Sequence, residues 1–127
     1  MKNLDPAVLP PASGSYTHGT LIENASRVVF VSGQVPWGDA DGHVPPDFES
    51  QCRMTWHNLL AVLAEADMGV QHLVKVTIYL SDRKYREANG KIRAEVLGSH
   101  RPALTIIITD IYAEEWLLEI EAIAAIT

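Results

Sequence analysis

The 127-residue chain predicts an α+β fold of order β-β-α-β-α-β-β, a sheet with two helices on one face. Three observations lead there. RVVFVS (Arg27–Ser32), LVKVTIYL (Leu73–Leu80) and RPALTIII (Arg101–Ile108) are short β-branched runs, and each reads as a strand. EWLLEIEAIAAI (Glu115–Ile126) alternates, with Leu118, Ile120, Ala122, Ala124 and Ile126 on one face and Glu119 and Glu121 on the other. Between the strands lie two stretches whose apolar residues recur every three or four positions, the spacing of a helix face.

Taken in order, residues 1–15 hold three prolines and predict an extended, irregular N-terminal segment. Tyr16–Ile22 is a short candidate strand interrupted by Gly19, and Glu23–Ser26 a turn. Arg27–Ser32 is expected to stop at Gly33. Gly33–Asp47 (GQVPWGDADGHVPPD) is a long loop with turn chemistry in its prolines and in DADG. A loop of this length in a small domain is more often functional than filler.

Asp47 suits the N-cap of a first helix reaching about Met68, with Cys52, Trp56, Leu59, Leu60, Leu63 and Ala66 on its apolar face. Gly69 is expected to close it. Ser81 or Asp82 should cap a second helix to about Leu97, with Tyr85, Ala88, Ile92 and Val96 inward and Gly98 ending it. The last two strands read as neighbours joined by TDIYAE (Thr109–Glu114), which would set isoleucines beside the two glutamates. Two helices cover one sheet face only. Val28–Val31, Val74–Leu80 and Ile106–Ile108 read as apolar on both sides, which predicts an oligomer that packs the uncovered faces together.

Composition bounds the function. A net charge of −6 with no basic run beyond Arg83–Lys84 argues against a nucleic-acid partner. No apolar run approaches the ~18 residues of a membrane span, and the N-terminus has no signal-peptide pattern. The single cysteine, Cys52, fits a reducing, cytoplasmic setting and reads as a core thiol. His18, His43, His57, His72 and His100 have no metal-ligand spacing, and no phosphate-cradling glycine motif occurs. Trp37 is either a cleft wall or a loop anchor, and Trp116 caps the last strand. Glu119 and Glu121 are either an acid–base pair or a solvated strand edge.

Four segments together resemble the Rid family, the YjgF-like reactive-intermediate deaminases once labelled L-PSP endoribonucleases. They are SGQVP (Ser32–Pro36), VKVTIYLSD (Val74–Asp82), RPALT (Arg101–Thr105) and EIEAIA (Glu119–Ala124). They span nearly the whole chain, residues 1–127, as one domain. The resemblance implies a chorismate-mutase-like α+β domain with a mixed sheet, a homotrimer, and small-molecule clefts between subunits. It implies hydrolysis of an imine or enamine with no metal or organic cofactor.

By the same resemblance Glu119, Tyr16 and Asn89 are the catalytic candidates, and Ser32, Leu104 and Thr105 the substrate-binding ones. The family pattern has an arginine where this chain has Leu104. That arginine would grip a substrate carboxylate through two charge-assisted hydrogen bonds, worth roughly 1.5–3 kcal/mol each. Leu104 offers no donor, so weak action on 2-iminopropanoate is expected, and Glu119 is expected to lose a counter-charge. Arg83, Arg86 and Arg101 are the candidate substitutes. A metabolite-binding trimer without turnover is the alternative, and a chaperone-like or ribonuclease role the second.

Overall fold

The computed structural model describes residues 1–38 and 42–127, so most of the DADG turn lies outside the described residues. The chain folds in the order β1 (Lys2–Leu4), β2 (Gly19–Leu21), β3 (Arg27–Gln34), α1 (Phe48–Glu65), β4 (Leu73–Leu80), α2 (Arg86–Leu97), β5 (Ala103–Ile108) and β6 (Leu118–Ile126). The α+β class, the two helices and the mixed sheet are as expected. The first strand was not, because Lys-Asn-Leu carries no periodic pattern. It pairs antiparallel with β2, Lys2 opposite Leu21 and Leu4 opposite Gly19.

The main sheet has the order β3-β6-β4-β5. β4 and β5 are parallel, linked by the α2 crossover that parallel neighbours require. β6 inserts antiparallel between β3 and β4. The two final strands are therefore not neighbours: β4 separates them. Glu119 stands opposite Tyr79 and Glu121 opposite Thr77, in place of the isoleucines expected there.

α1 begins where Asp47 Oδ2 accepts a hydrogen bond from the Ser50 amide at 2.9 Å. It ends earlier than expected, and by another device. Asp67 takes the left-handed conformation (φ 56°) that was assigned to Gly69, which is extended. Asp82 Oδ1 accepts from the Lys84 amide at 2.9 Å, capping a single 3₁₀ turn, Arg83–Tyr85, that leads into α2.

Cys52, Trp56, Leu59 and Leu63 of α1 and Ile92 and Leu97 of α2 pack on Val76, Ile78 and Leu80 of β4 and on Leu118, Ile120, Ala122 and Ala124 of β6. This apolar layer between helices and sheet is the core. The uncovered face is mixed, not apolar throughout as expected. Val28, Phe30 and Ile107 are exposed there, with Phe30 at 76%, but β4 presents Lys75, Thr77 and Tyr79 because its sequence alternates.

Candidate functional site

Glu119 projects from the uncovered face of β6. Between Val31 and Gln34 the β3–β6 register slips by one residue, so Ser32 and Gly33 together oppose Glu121. Such a bulge bends a strand and re-aims its neighbours. It explains why β3 continues past Gly33 to Gln34. A Cβ built on Gly33 would lie 1.9 Å from Glu119 Oε2, so the carboxylate occupies the space a side chain would take. The Tyr79 hydroxyl donates to Glu121 Oε1, tying the second carboxylate to β4. Partial burial and then the nearby Glu121 charge hold the Glu119 carboxyl above its ordinary value of 4.5.

Glu119 and Gly33 form part of a cleft of about 710 Å³, whose walls include Trp37, Asn58, Tyr112 and Trp116. Asn58 Nδ2 donates to the carbonyls of Val35 and Trp37, both at 3.0 Å, and so fastens the loop after β3 to α1. The buried Gln51 does the same for the chain before β6. Its Nε2 donates to the Glu115 carbonyl at 2.9 Å and its Oε1 accepts from the Leu117 amide at 2.8 Å. Trp37 thus takes the cleft-wall role of its two readings. Trp116 lines the cleft as well, beyond the strand-capping role expected of it. Neither Asn58 nor Gln51 was singled out from sequence, because a lone amide on a helix carries no pattern.

The other expected site residues divide between the two faces of the sheet. Thr105 accepts a 2.6 Å hydrogen bond from Lys75 Nζ on the uncovered side, and Ser32 is exposed at the bulge. Leu104 pairs in register with the buried Val76 and packs against the core on the helix side. It cannot serve as counter-charge position for Glu119 within one chain, since the two face opposite ways and β4 lies between. Asn89 is wholly buried on α2, and neither its Nδ2 nor its Oδ1 has a partner among the described residues. Tyr16 is half-buried beyond the free edge of β5, its carbonyl accepting from Arg101 Nε at 2.9 Å.

Of the three arginines considered as substitutes, Arg83 and Arg86 are exposed beside one another. Arg101 is engaged by Tyr16 and lies 3.7 Å from Asp5. Arg93 was overlooked, although it stands one helical turn after Asn89. The Cys52 thiol is pushed up to about 12 by burial, which leaves it protonated and inert at neutral pH. Among the described residues no group of three or more His, Cys, Asp or Glu is placed to hold a metal ion, and no helix is long and apolar enough to cross a membrane.

Residues 7–126 match the family described as Endoribonuclease L-PSP. A RutC family protein of Pyrococcus horikoshii is 30% identical over 116 residues, covering 91% of this chain and 90% of its own. The 2-iminobutanoate/2-iminopropanoate deaminase of Escherichia coli is 29% identical over 118 residues, covering 91% and 90%. Among solved structures, E. coli TdcF with bound serine superposes with a TM-score of 0.74 at 25% identity, covering both chains in full. A Rid-family protein of Yersinia pestis has the same fold at a TM-score of 0.84, covering 98% of each chain at 24% identity.

Proposed function

The chain belongs to the endoribonuclease L-PSP family, the Rid proteins, and from that premise we propose that it is a reactive-intermediate deaminase whose site is completed between subunits of a homotrimer. The observation that carries this reading is the division of the candidate residues. Glu119, with its raised pKa, lines a cleft on the uncovered sheet face, while Asn89 sits behind the sheet with an amide that has no partner among the described residues. Two half-sites on opposite faces make one whole site when a neighbouring copy brings its own face alongside. The exposed Val28, Phe30 and Ile107 give that neighbour an apolar surface to cover.

The chemistry follows from the residues. Water adds to the C=N carbon as the Glu119 carboxylate takes one of its protons and passes it to the imine nitrogen, giving a neutral carbinolamine. Glu119 then takes the carbinolamine hydroxyl proton and hands it to the amine nitrogen as the C–N bond breaks, so the carbonyl forms and ammonia leaves. The net change is imine plus water to carbonyl compound plus ammonia, with no cofactor consumed. A carboxyl held above 4.5 by its surroundings suits both proton transfers. Tyr16 and Asn89 orient the substrate, and Ser32 and Thr105 are polar positions on the Glu119 side of the sheet.

Leu104 stands at the position of the family arginine. A substrate recognised through that position is therefore disfavoured, and 2-iminopropanoate turnover should be at least about tenfold below that of an arginine-bearing relative, given the worth of charged hydrogen bonds. The test is release of keto product from imines and enamines generated in situ, comparing the wild type with Glu119→Gln. Turnover that disappears in the variant supports the reading. Equal turnover in both would contradict the role given to Glu119, and none in the wild type across the series would leave the second reading. In that reading the same cleft holds a small metabolite without converting it; a relative, E. coli TdcF, has been solved with bound serine.

A further inference from the structure

Two of the aromatic residues lining the cleft are largely open to solvent in the single chain, Tyr112 at 96% and Trp37 at 60%. The half-buried Trp116 lines it with them. Trp37 is held in place: Asn58 fastens its carbonyl, and a Cβ built on Gly42 would lie 3.1 Å from its Nε1, so the ring packs on that glycine. Large apolar side chains gathered on a surface mark a contact site, and concavity suits that site to a small molecule.

Beside the cleft lies a smaller hollow of about 270 Å³, and Tyr112 and Glu119 belong to the walls of both. Tyr79, Asp110 and Glu121 also line the smaller one, with Glu121 held by the Tyr79 hydroxyl. Together the two hollows hold four aromatic rings and three carboxylates. Among the described residues no lysine, arginine or histidine lines either. Lys75 shares the uncovered face of β4, but it stands four residues from Tyr79, roughly 13 Å along the strand, and donates to Thr105. Aromatic faces attract organic cations, and carboxylates attract them with full charge. An anion would meet three like charges here, and a neutral ligand would leave those charges unpaired. The net charge of −6 acts in the same direction.

We propose that the cleft takes an organic ammonium ion with a flat, apolar body. The body lies among Trp37, Tyr112 and Trp116, and the ammonium enters the smaller hollow beside Asp110 and Glu121. The inference rests on the functional reading above for the identity of the site, but not for its catalysis. Within that reading the substrate is an imine that also carries an amino group. Glu119, on the boundary of the two hollows, keeps its carboxylate for the C=N end. A ligand of this class has no carboxylate to grip, and so needs no cation at position 104.

The experiment is titration of the assembled wild-type protein at neutral pH with benzylamine, benzyl alcohol and benzoate, followed by calorimetry and by the indole N–H signals of Trp37 and Trp116. Benzylamine should bind saturably, move both signals, and bind at least about tenfold more tightly than the alcohol or the acid. Tyr112→Ala should weaken benzylamine at least about threefold, with Tyr112→Phe close to the wild type, because the ring face is what the cation meets. Glu121→Gln keeps an acceptor for Tyr79 and should weaken benzylamine about tenfold while leaving the alcohol unchanged. Benzyl alcohol or benzoate binding as tightly as benzylamine, benzylamine affinity unchanged in Tyr112→Ala or Glu121→Gln, or no saturation by about 10 mM would each overturn the proposal. The two readings fail separately. Benzylamine binding of this pattern in a protein without imine turnover would sink the deaminase and keep the cation site. Turnover lost in Glu119→Gln, with no preference for benzylamine, would do the reverse.

Discussion

The carboxylate of Glu119 rests on Gly33, in space that is open only because residue 33 has no side chain. The contact joins the β3 bulge to the start of β6 and aims Glu119 into the cleft. Gly33 is not in the left-handed region, so alanine fits its backbone. The clash would fall on the end of a flexible side chain, which can swing away at little cost in stability. Gly33→Ala should therefore unfold within about 1 kcal/mol of the wild type while losing at least about tenfold in turnover through misplacement of the carboxylate. Urea unfolding and kinetics on the same samples check this. A large loss of stability with unchanged turnover per folded molecule would show that Gly33 serves the fold alone.

The raised pKa of Glu119 also sets a sign for stability against pH. The native state holds this proton more tightly than the unfolded chain does. The ionised form therefore opposes folding. That penalty is absent below the ordinary value of 4.5 and grows as pH rises through the native value. Glu119→Gln removes it, so the variant should match the wild type near pH 4 and equal or exceed it near pH 7. Denaturation at one fixed protein concentration measures both. A variant distinctly less stable at neutral pH would mean that the ionised carboxylate is held by a favourable partner.

Much of this fold is legible from short-range pattern. LVKVTIYL marks β4 at both ends, and Asp47 caps α1 where a capping residue was expected. Pairing partners are not legible in this way. β6 lies between β3 and β4 through contacts far apart in the chain, so the two final strands were read as neighbours. That single error set isoleucines beside Glu119 and Glu121, where Tyr79 and Thr77 of β4 stand.

Assembly should depend on the uncovered sheet face. Phe30→Asp sets a charge where 76% of a phenylalanine is exposed in the single chain, so a lone copy should tolerate it. Burial of that unpaired charge against a neighbour would be strongly unfavourable. Sedimentation should show a trimer for the wild type and smaller species for the variant, with circular dichroism unchanged. A variant that remains fully trimeric would exclude this face from the interface.

Cys52 should behave as core. With its thiol pushed up to about 12, it should resist alkylation near pH 8 in the native protein and react on denaturation. Cys52→Ala should lower stability by roughly 1–2 kcal/mol through the cavity left behind, with turnover retained. Rapid native labelling would place the thiol in a cleft and reopen its role.

The account turns on Glu119 and Asn89 acting from different subunits, and complementation reads that directly. Glu119→Gln and Asn89→Ala should each be inactive as pure trimers on any imine the wild type hydrolyses. Refolded together in equal amounts, they should form sites that draw Glu119 from one subunit and Asn89 from its neighbour. Random mixing around a three-fold ring then restores about a quarter of wild-type activity. Mixed trimers, verified by mass spectrometry, that stay as inactive as either parent would contradict the shared site.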